Sequence, residues 1–135
     1  ITRERQIKLF NGEYKRWYNN GLLFKHCYYK NGKLHGESKY YHHNDNGILS
    51  LWRHGFYKNG KFHGEYKRWY KNGLLLEHNF YKNGKFHGEF KSWYINGVLS
   101  QHYFHKNDVR HGEYKFGYCV SRMRYLYENG ELIKN

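Results

Sequence analysis

Proline and alanine are absent from this chain of 135 residues, and it has only two cysteines and one methionine. The lack of alanine removes the best helix former and argues against helical bundles, coiled coils and most α/β architectures. Cys27 and Cys119 are too few for a disulfide framework and too far apart for a CxxC metal knuckle, which suits a reducing compartment. No run of about 18 apolar residues exists, so no helix is expected to cross a membrane. The opening ITRERQIKLF carries no signal-peptide core. An intracellular, cytoplasmic protein is expected. Catalytic signatures are missing as well: there is no GxSxG, no P-loop, no GxGxxG and no isolated Cys–His or carboxylate dyad. The chain is expected not to be an enzyme and to use no cofactor.

What the chain has in excess points one way. It holds 16 Tyr, 9 Phe and 4 Trp, so aromatics make up 21% of residues, beside 15 Gly and 14 Asn. Aromatic residues favour strands, and Asn with Gly favours tight turns. Mean hydropathy is low at −1.11. Polarity of that order can signal disorder, but disordered chains are poor in aromatics and this one is not. Lys and Arg number 24 against 11 Asp and Glu, a net charge of +13.

Self-similarity organises everything. Gly-Glu pairs begin at Gly12, Gly36, Gly64, Gly88 and Gly112, in steps of 24, 28, 24 and 24. Residues 12–35 read GEYKRWYNNGLLFKHCYYKNGKLH, and 64–87 read GEYKRWYKNGLLLEHNFYKNGKFH. The units are repeat 1 (12–35), repeat 2 (36–63), repeat 3 (64–87), repeat 4 (88–111) and a degenerate repeat 5 or C-terminal cap (112–135). Residues 1–11 are expected to cap the array or to be the remnant of a preceding repeat. The tail RYLYENGELIKN would either close the fifth hairpin or begin a sixth.

Each unit carries two Asn-Gly turns separated by strand-length segments, such as Asn20-Gly21 and Asn31-Gly32 in repeat 1. Asn-Gly between alternating apolar residues is the strongest short hairpin signal, because a type I′ turn needs positive φ at both central positions. The chain therefore reads as an all-β protein: an elongated, single-layer antiparallel meander of about ten strands built from tandem hairpins. At ~4.8 Å between strands it would be roughly 45–50 Å long.

With two-residue turns throughout, Lys15 faces His26, Trp17 faces Phe24, Tyr41 faces Trp52 and Lys39 faces His54. Repeat 2 then has two extra residues in each strand, which lengthens its hairpin without turning either face over. One face collects Tyr14, Tyr18, Leu23, Tyr29 and Leu34. The other carries Trp17, Leu22, Phe24 and Tyr28 among Glu13, Lys15, His26 and His35. A three-residue turn with a bulge would alter this register.

The pattern Gly-Glu-Tyr-Lys-x-Trp-Tyr-x-Asn-Gly-x-Leu, followed by Tyr-x-Asn-Gly-Lys-x-His-Gly, resembles the MORN repeat from residue 12 to about 118. It is closest to the variant seen in bacterial antitoxin-type proteins and in giant amoebal viruses. The resemblance implies an elongated, twisted, single-layer antiparallel sheet serving as a scaffold or binding platform, with a virion or infected cell as its setting. Ser38 stands in an aromatic position, Asp108 in a turn-glycine position and Gly117 in a Trp position.

Two sets of residues are candidates for contact with a partner. The first is an aromatic surface of Tyr14, Trp17, Tyr66, Trp69, Phe90 and Trp93, although stacked aromatics also serve as the core of such an array. The second is a basic edge of Lys30, Lys33, Lys58, Lys61, Lys82 and Lys85, the lysines of three KNGK turns, suited to polyanions. Histidines form two columns, His26, His54, His78, His102 and His35, His63, His87, His111. The expected register sets His26 opposite Glu37 and diagonal to His35, and likewise down to Glu113. Two His and one carboxylate could hold a metal, but strand diagonals of about 7 Å are long for shared coordination. No metal is expected. Cross-strand His–Glu hydrogen bonds explain a motif repeated four times better than catalysis does.

The expected function is a non-enzymatic scaffold or protein-protein interaction module, with end-to-end or edge-strand self-association open to it. The alternative is a polyanion binder that engages nucleic acid or an anionic lipid surface.

Overall fold

The computed structural model describes residues 10–109 and the backbone at 110, 112–117, 122–128 and 131–134. Among them there is no helix. The strands are β1 Gly12–Trp17, β2 Leu23–Lys30, β3 Lys33–His43, β4 Leu49–Lys58, β5 Lys61–Phe62, β6 Gly64–Trp69, β7 Leu75–Lys82, β8 Lys85–Phe86, β9 Gly88–Trp93, β10 Leu99–Lys106, β11 Val109–Arg110, β12 Gly112–Gly117, β13 Arg122–Glu128 and β14 Glu131–Lys134. All belong to one sheet in chain order, and every pairing is antiparallel. The two-residue strands β5, β8 and β11 pair with β4, β7 and β10 and lead into β6, β9 and β12. In the tail, β13 closes the fifth hairpin against β12, and β14 pairs back on β13. Residues 1–9, most of the expected N-terminal cap, lie outside the described residues, as does Cys119.

The two Asn-Gly turns of a repeat are built differently, which corrects the register expected near one of them. In the KNGK turns both central residues have positive φ, as at Asn31 (51°) and Gly32 (77°), and the flanking lysines pair, as Lys30 does with Lys33. These are two-residue type I′ turns. In the other turns only the glycine is left-handed, as at Gly21 (86°). There Gly21 N–H donates to Tyr18 C=O (2.9 Å) and Tyr18 N–H to Leu22 C=O (2.8 Å). That is a three-residue loop, a type I turn followed by a left-handed glycine. Asn20 Oδ1 accepts the Leu22 N–H at 3.0 Å, and Asn72 and Asn96 do the same for Leu74 and Val98.

The extra loop residue is cancelled a step later by a bulge. Trp17 pairs with Leu23 and Arg16 with Lys25, so Phe24 is the bulged residue and Trp17 does not face it. The bulges at Trp52, Leu76 and Ser100 match, and Tyr41 pairs with Leu51 instead of Trp52. Beyond each bulge the expected register returns: Lys15 pairs with His26 and Lys39 with His54. The bulge turns Phe24 to the Tyr18 side, 5.0 Å from that ring, and the loop sets Leu23, not Leu22, in line with Trp17.

A second irregularity joins the hairpins. Tyr29 pairs with Leu34 and Cys27 with Ser38, so three residues of β3 stand against Tyr28 alone. Gly36, Gly64 and Gly88 lie in these steps with φ of 100°, 107° and 97°, which a side chain would resist. The step moves the next strand by two residues. His26 consequently pairs with Lys39, not Glu37.

The core is one column on one face. Cys27, Ser38, Gly55, Tyr66, Asn79, Phe90 and Tyr103 are the buried members. Rings interlock beside them: Tyr57, Phe62 and Tyr81 stack at 4.4 and 5.0 Å, with Tyr66 edge-on to Phe62 at 5.3 Å. Burial pushes the Tyr81 hydroxyl up to about 12. Ser38 pairs with Gly55, and the space over Gly55 is taken by Phe62 of the same repeat and Tyr66 of the next.

Along one edge the type I′ turns form a hydrogen-bonded seam. Gly32 N–H donates to Phe10 C=O, Gly60 to Leu34, Gly84 to Phe62 and Asp108 to Phe86, each at 2.8 Å. Asn11 Oδ1 accepts the Asn31 N–H at 2.9 Å, while His35 and His63 Nδ1 accept those of Asn59 and Asn83 at 3.2 Å. Asp108 (φ 70°) replaces the turn glycine and returns its carboxylate to Phe86 N–H at 2.6 Å.

Candidate binding surface

The face opposite the buried column is laid out in files. Lys15, His26, Lys39, His54, Lys67, His78, Lys91, His102 and Lys115 pair successively, so one unbroken line of Lys and His crosses the sheet. Beside it Glu13, Glu37, Glu65 and Glu89 pair with Tyr28, Phe56, Phe80 and Phe104. Each Glu reaches diagonally to the His of its own hairpin: His26–Glu13 at 3.2 Å, His54–Glu37 at 2.9 Å, His78–Glu65 and His102–Glu89 at 3.0 Å. The same carboxylates take Lys15, Lys39, Lys67 and Lys91 at 2.9–3.7 Å. The cross-strand His–Glu hydrogen bond thus exists at His54, His78 and His102, but within a hairpin and not to the next one. His35 and His63 are turned to the seam and do not converge with His26 and His54. Among the described residues no group of three His, Cys, Asp or Glu could hold a metal. The His111 and Glu113 side chains lie outside the described residues.

Burial pushes the Glu37, Glu65 and Glu89 carboxyls up, but hydrogen bonds from His and the charge and hydrogen bonds of Lys outweigh it and hold all three below the ordinary carboxylate value. A carboxylate with a depressed folded-state pKa adds stability that is fully present above its unfolded value and is lost as pH falls through the folded one. The melting temperature should therefore fall on acidification from about pH 5 to about pH 3. A Glu37→Gln, Glu65→Gln, Glu89→Gln variant should show a shallower fall over that range. Parallel melting curves would disprove the role of these carboxylates. At this exposure each pair contributes little alone.

A third file is apolar. Trp17 pairs with Leu23, Tyr41 with Leu51, Trp69 with Leu75 and Trp93 with Leu99. Trp17 is 59% exposed, and Trp69 and Trp93 are half-buried. Leu74, Ile48 and Ile95 are exposed in the adjoining three-residue turns. Of the other expected aromatic contacts, Tyr14 is exposed at 37%, whereas Tyr66 and Phe90, at 7% and 8%, are buried and pack the array.

The opposite edge is cationic. Lys30, Lys33, Lys58, Lys61, Lys82 and Lys85 are all exposed, and among the described residues none has a carboxylate partner. The Lys33 stem lies over Gly60 and the Lys61 stem over Gly84, at 3.8 and 3.7 Å from a Cβ placed there. Stems are held while the ammonium groups stay in water.

One file on the core face does not repeat. Arg16, Lys25, Tyr40, Arg53, Arg68, Glu77, Ser92 and Gln101 succeed one another in register. Arg68 pairs with Glu77 at 2.9 Å. Arg16 lies over Phe24 at 6.0 Å, Lys25 over Tyr40 at 5.2 Å, and Arg53 over Tyr40 and Trp52 at 4.9 and 5.9 Å. Such stacking is worth about 0.5–1 kcal/mol per contact at exposed sites. Sequence reasoning overlooked these cations because it followed what recurs. The signal was their failure to recur.

Neither a protein-family model nor a curated protein matches this chain. Among the described residues no helix is long and apolar enough to cross a membrane.

Proposed function

We propose that the chain is a non-enzymatic repeat scaffold of the MORN type that binds a protein partner through the Trp–Leu file. The observation that carries this reading is the line of Trp17, Trp69 and Trp93, each beside a leucine at the same register of its hairpin. With Tyr41–Leu51 between the first two, successive pairs are two strand spacings apart, about 10 Å, and among the described residues no second layer covers them. Tryptophan is among the residues most enriched at the hot spots of protein interfaces. Edge pairing between copies belongs to the same proposal, since β1 is exposed along its length. The virus-related setting rests on the resemblance alone.

A second reading is favoured by the six uncompensated turn lysines: contact with nucleic acid or anionic lipid. The two separate in one experiment. A partner would be captured from nuclease-treated lysate at moderate salt and its affinity remeasured with variants. Under the scaffold reading Trp69→Ala with Trp93→Ala weakens binding about tenfold or more, whereas Lys58→Glu with Lys82→Glu changes it little. If only the lysine variant weakens binding, and affinity falls linearly with salt on logarithmic axes, the polyanion reading replaces it.

A further inference from the structure

Function in an array is written where the repeat breaks, and four breaks meet at the junction of repeats 1, 2 and 3. In repeats 1, 3 and 4 a Tyr precedes the three-residue loop and pairs with an aliphatic residue: Tyr18 with Leu22, Tyr70 with Leu74 and Tyr94 with Val98. The Tyr hydroxyl can brace the next repeat, as Tyr18 donates to Tyr41 C=O and Tyr70 to Trp93 C=O, both at 2.7 Å. At this place repeat 2 has His42 paired with Ser50, with Ser50 Oγ 3.0 Å from His42 Nδ1. The remaining ring nitrogen, Nε2, is buried and has no hydrogen-bond partner among the described residues. Trp52 occupies the bulge that elsewhere holds Phe24, Leu76 or Ser100. Lys71 stands where the other short loops have Asn19 and Ile95.

At this junction lies a cavity of about 340 Å³ lined by Tyr18, Phe24, His42, Trp52, Trp69 and Lys71. It continues into the ring series Tyr18–Phe24–Tyr40–Trp52, whose neighbouring centroids are 5.0–5.7 Å apart. Arg16, Lys25 and Arg53 lie over those rings, and none has a carboxylate partner among the described residues. The equivalent groove between repeats 3 and 4 includes Tyr70, Tyr94, Ser100 and the closed Arg68–Glu77 pair. That hollow also has rings, those of Tyr70, Phe90, Trp93 and Tyr94, but it lacks the cation excess. Asp45 lines the adjoining cavity, which shares His42 and Lys71.

Rings at the walls select a flat ligand, unopposed cations select a negative one, and the volume admits one ring system with a small substituent. Arginine and lysine beside aromatic faces are the pairing that holds bases and phosphate together. We propose that this junction binds a nucleobase carrying a phosphate, as a free nucleotide or as part of a single strand. His42 Nε2 meets the ligand's polar edge, Trp52 stacks on its ring, and Lys71 or Arg53 takes the phosphate. The site shares Trp69 with the Trp–Leu file, and its other lining residues lie outside that file.

The test is titration of the whole chain with each of the four nucleoside 5′-monophosphates, followed by tryptophan fluorescence and calorimetry. The matching nucleosides, inorganic phosphate and a short oligodeoxyadenylate serve as further arms. At least one monophosphate should bind saturably at one site, about tenfold tighter than its nucleoside or phosphate. His42→Tyr restores the residue of the other repeats and removes the ring nitrogen that meets the ligand, so the fold should survive while binding is lost. Lys71→Ala, in an exposed loop, should weaken the monophosphate about tenfold and the nucleoside hardly at all. Tighter binding of the oligonucleotide, equally sensitive to His42→Tyr, assigns the site to a strand; equal affinity assigns it to the free nucleotide. The proposal fails if no monophosphate saturates at millimolar concentration, if phosphate binds as well as the nucleotides, or if His42→Tyr, folded by circular dichroism, binds unchanged.

Discussion

Replacing Tyr66 by alanine is expected to lower the unfolding free energy by about 3 kcal/mol or more, the range for deleting a large buried ring. Tyr66 sits mid-array at 7% exposure, with its ring against Phe62 at 5.3 Å and Tyr81 at 5.8 Å and beneath Arg53 at 5.9 Å. It is the ring through which repeats 2 and 3 share a core. In a quasi-one-dimensional protein the loss falls on a single interface, so the unfolding transition should broaden or split as well as move. Urea denaturation followed by circular dichroism reads both. A loss below about 1 kcal/mol, or a transition of undiminished steepness, would show that the ring is not the joint between the two halves.

Gly55→Val approaches the same joint from below. A Cβ at Gly55 would lie 3.0 Å from Tyr66 Cδ2 and 3.3 Å from Phe62 Cε1. Neither ring is free to move away, since Tyr81 packs against both. Overpacking of this kind costs about 1–3 kcal/mol, and valine belongs at its upper end. Its larger consequence is coupling. With Tyr66→Ala in place the valine has room, so the double variant should be more stable than the summed losses predict by about 1 kcal/mol or more. Additive losses would mean that Gly55 is constrained by something other than the ring above it.

The hairpin array was legible because its signals are local: Asn-Gly, the recurring Gly-Glu, and aromatic alternation between them. The exchange of Tyr for Ser38 was visible, but the crowding beside it was not, because the space over its partner Gly55 is closed by Phe62 from the end of the same repeat and Tyr66 from the next. The two kinds of turn were hidden because Asn-Gly serves both. In Lys30-Asn31-Gly32-Lys33 the Asn is itself left-handed, whereas in Asn20-Gly21-Leu22 its side chain accepts the Leu22 N–H and only the Gly is left-handed. What differs is the next residue, Lys in one and an aliphatic residue in the other. The bulge at Phe24 restores parity, so alternation before and after it looks uninterrupted.

The partner of His26 depended on the step at Gly36, where glycine marks extra chain instead of a turn. Counting straight through that step gave Glu37, while the fold pairs His26 with Lys39 and lends it Glu13. Of the aromatic candidates, Trp17 and Tyr66 both follow the strand alternation. Only the stacking of neighbouring repeats decides that one is open to water and the other is not.

The seam of type I′ turns gives the array a direction. At each described joint the later turn offers its backbone N–H and the earlier repeat its backbone carbonyl. Such a row is like a file of arrows: it can be extended at either tip, but two heads have nothing to exchange. A second copy joined through the seam would have to follow head to tail, which gives an open filament and not a two-fold pair.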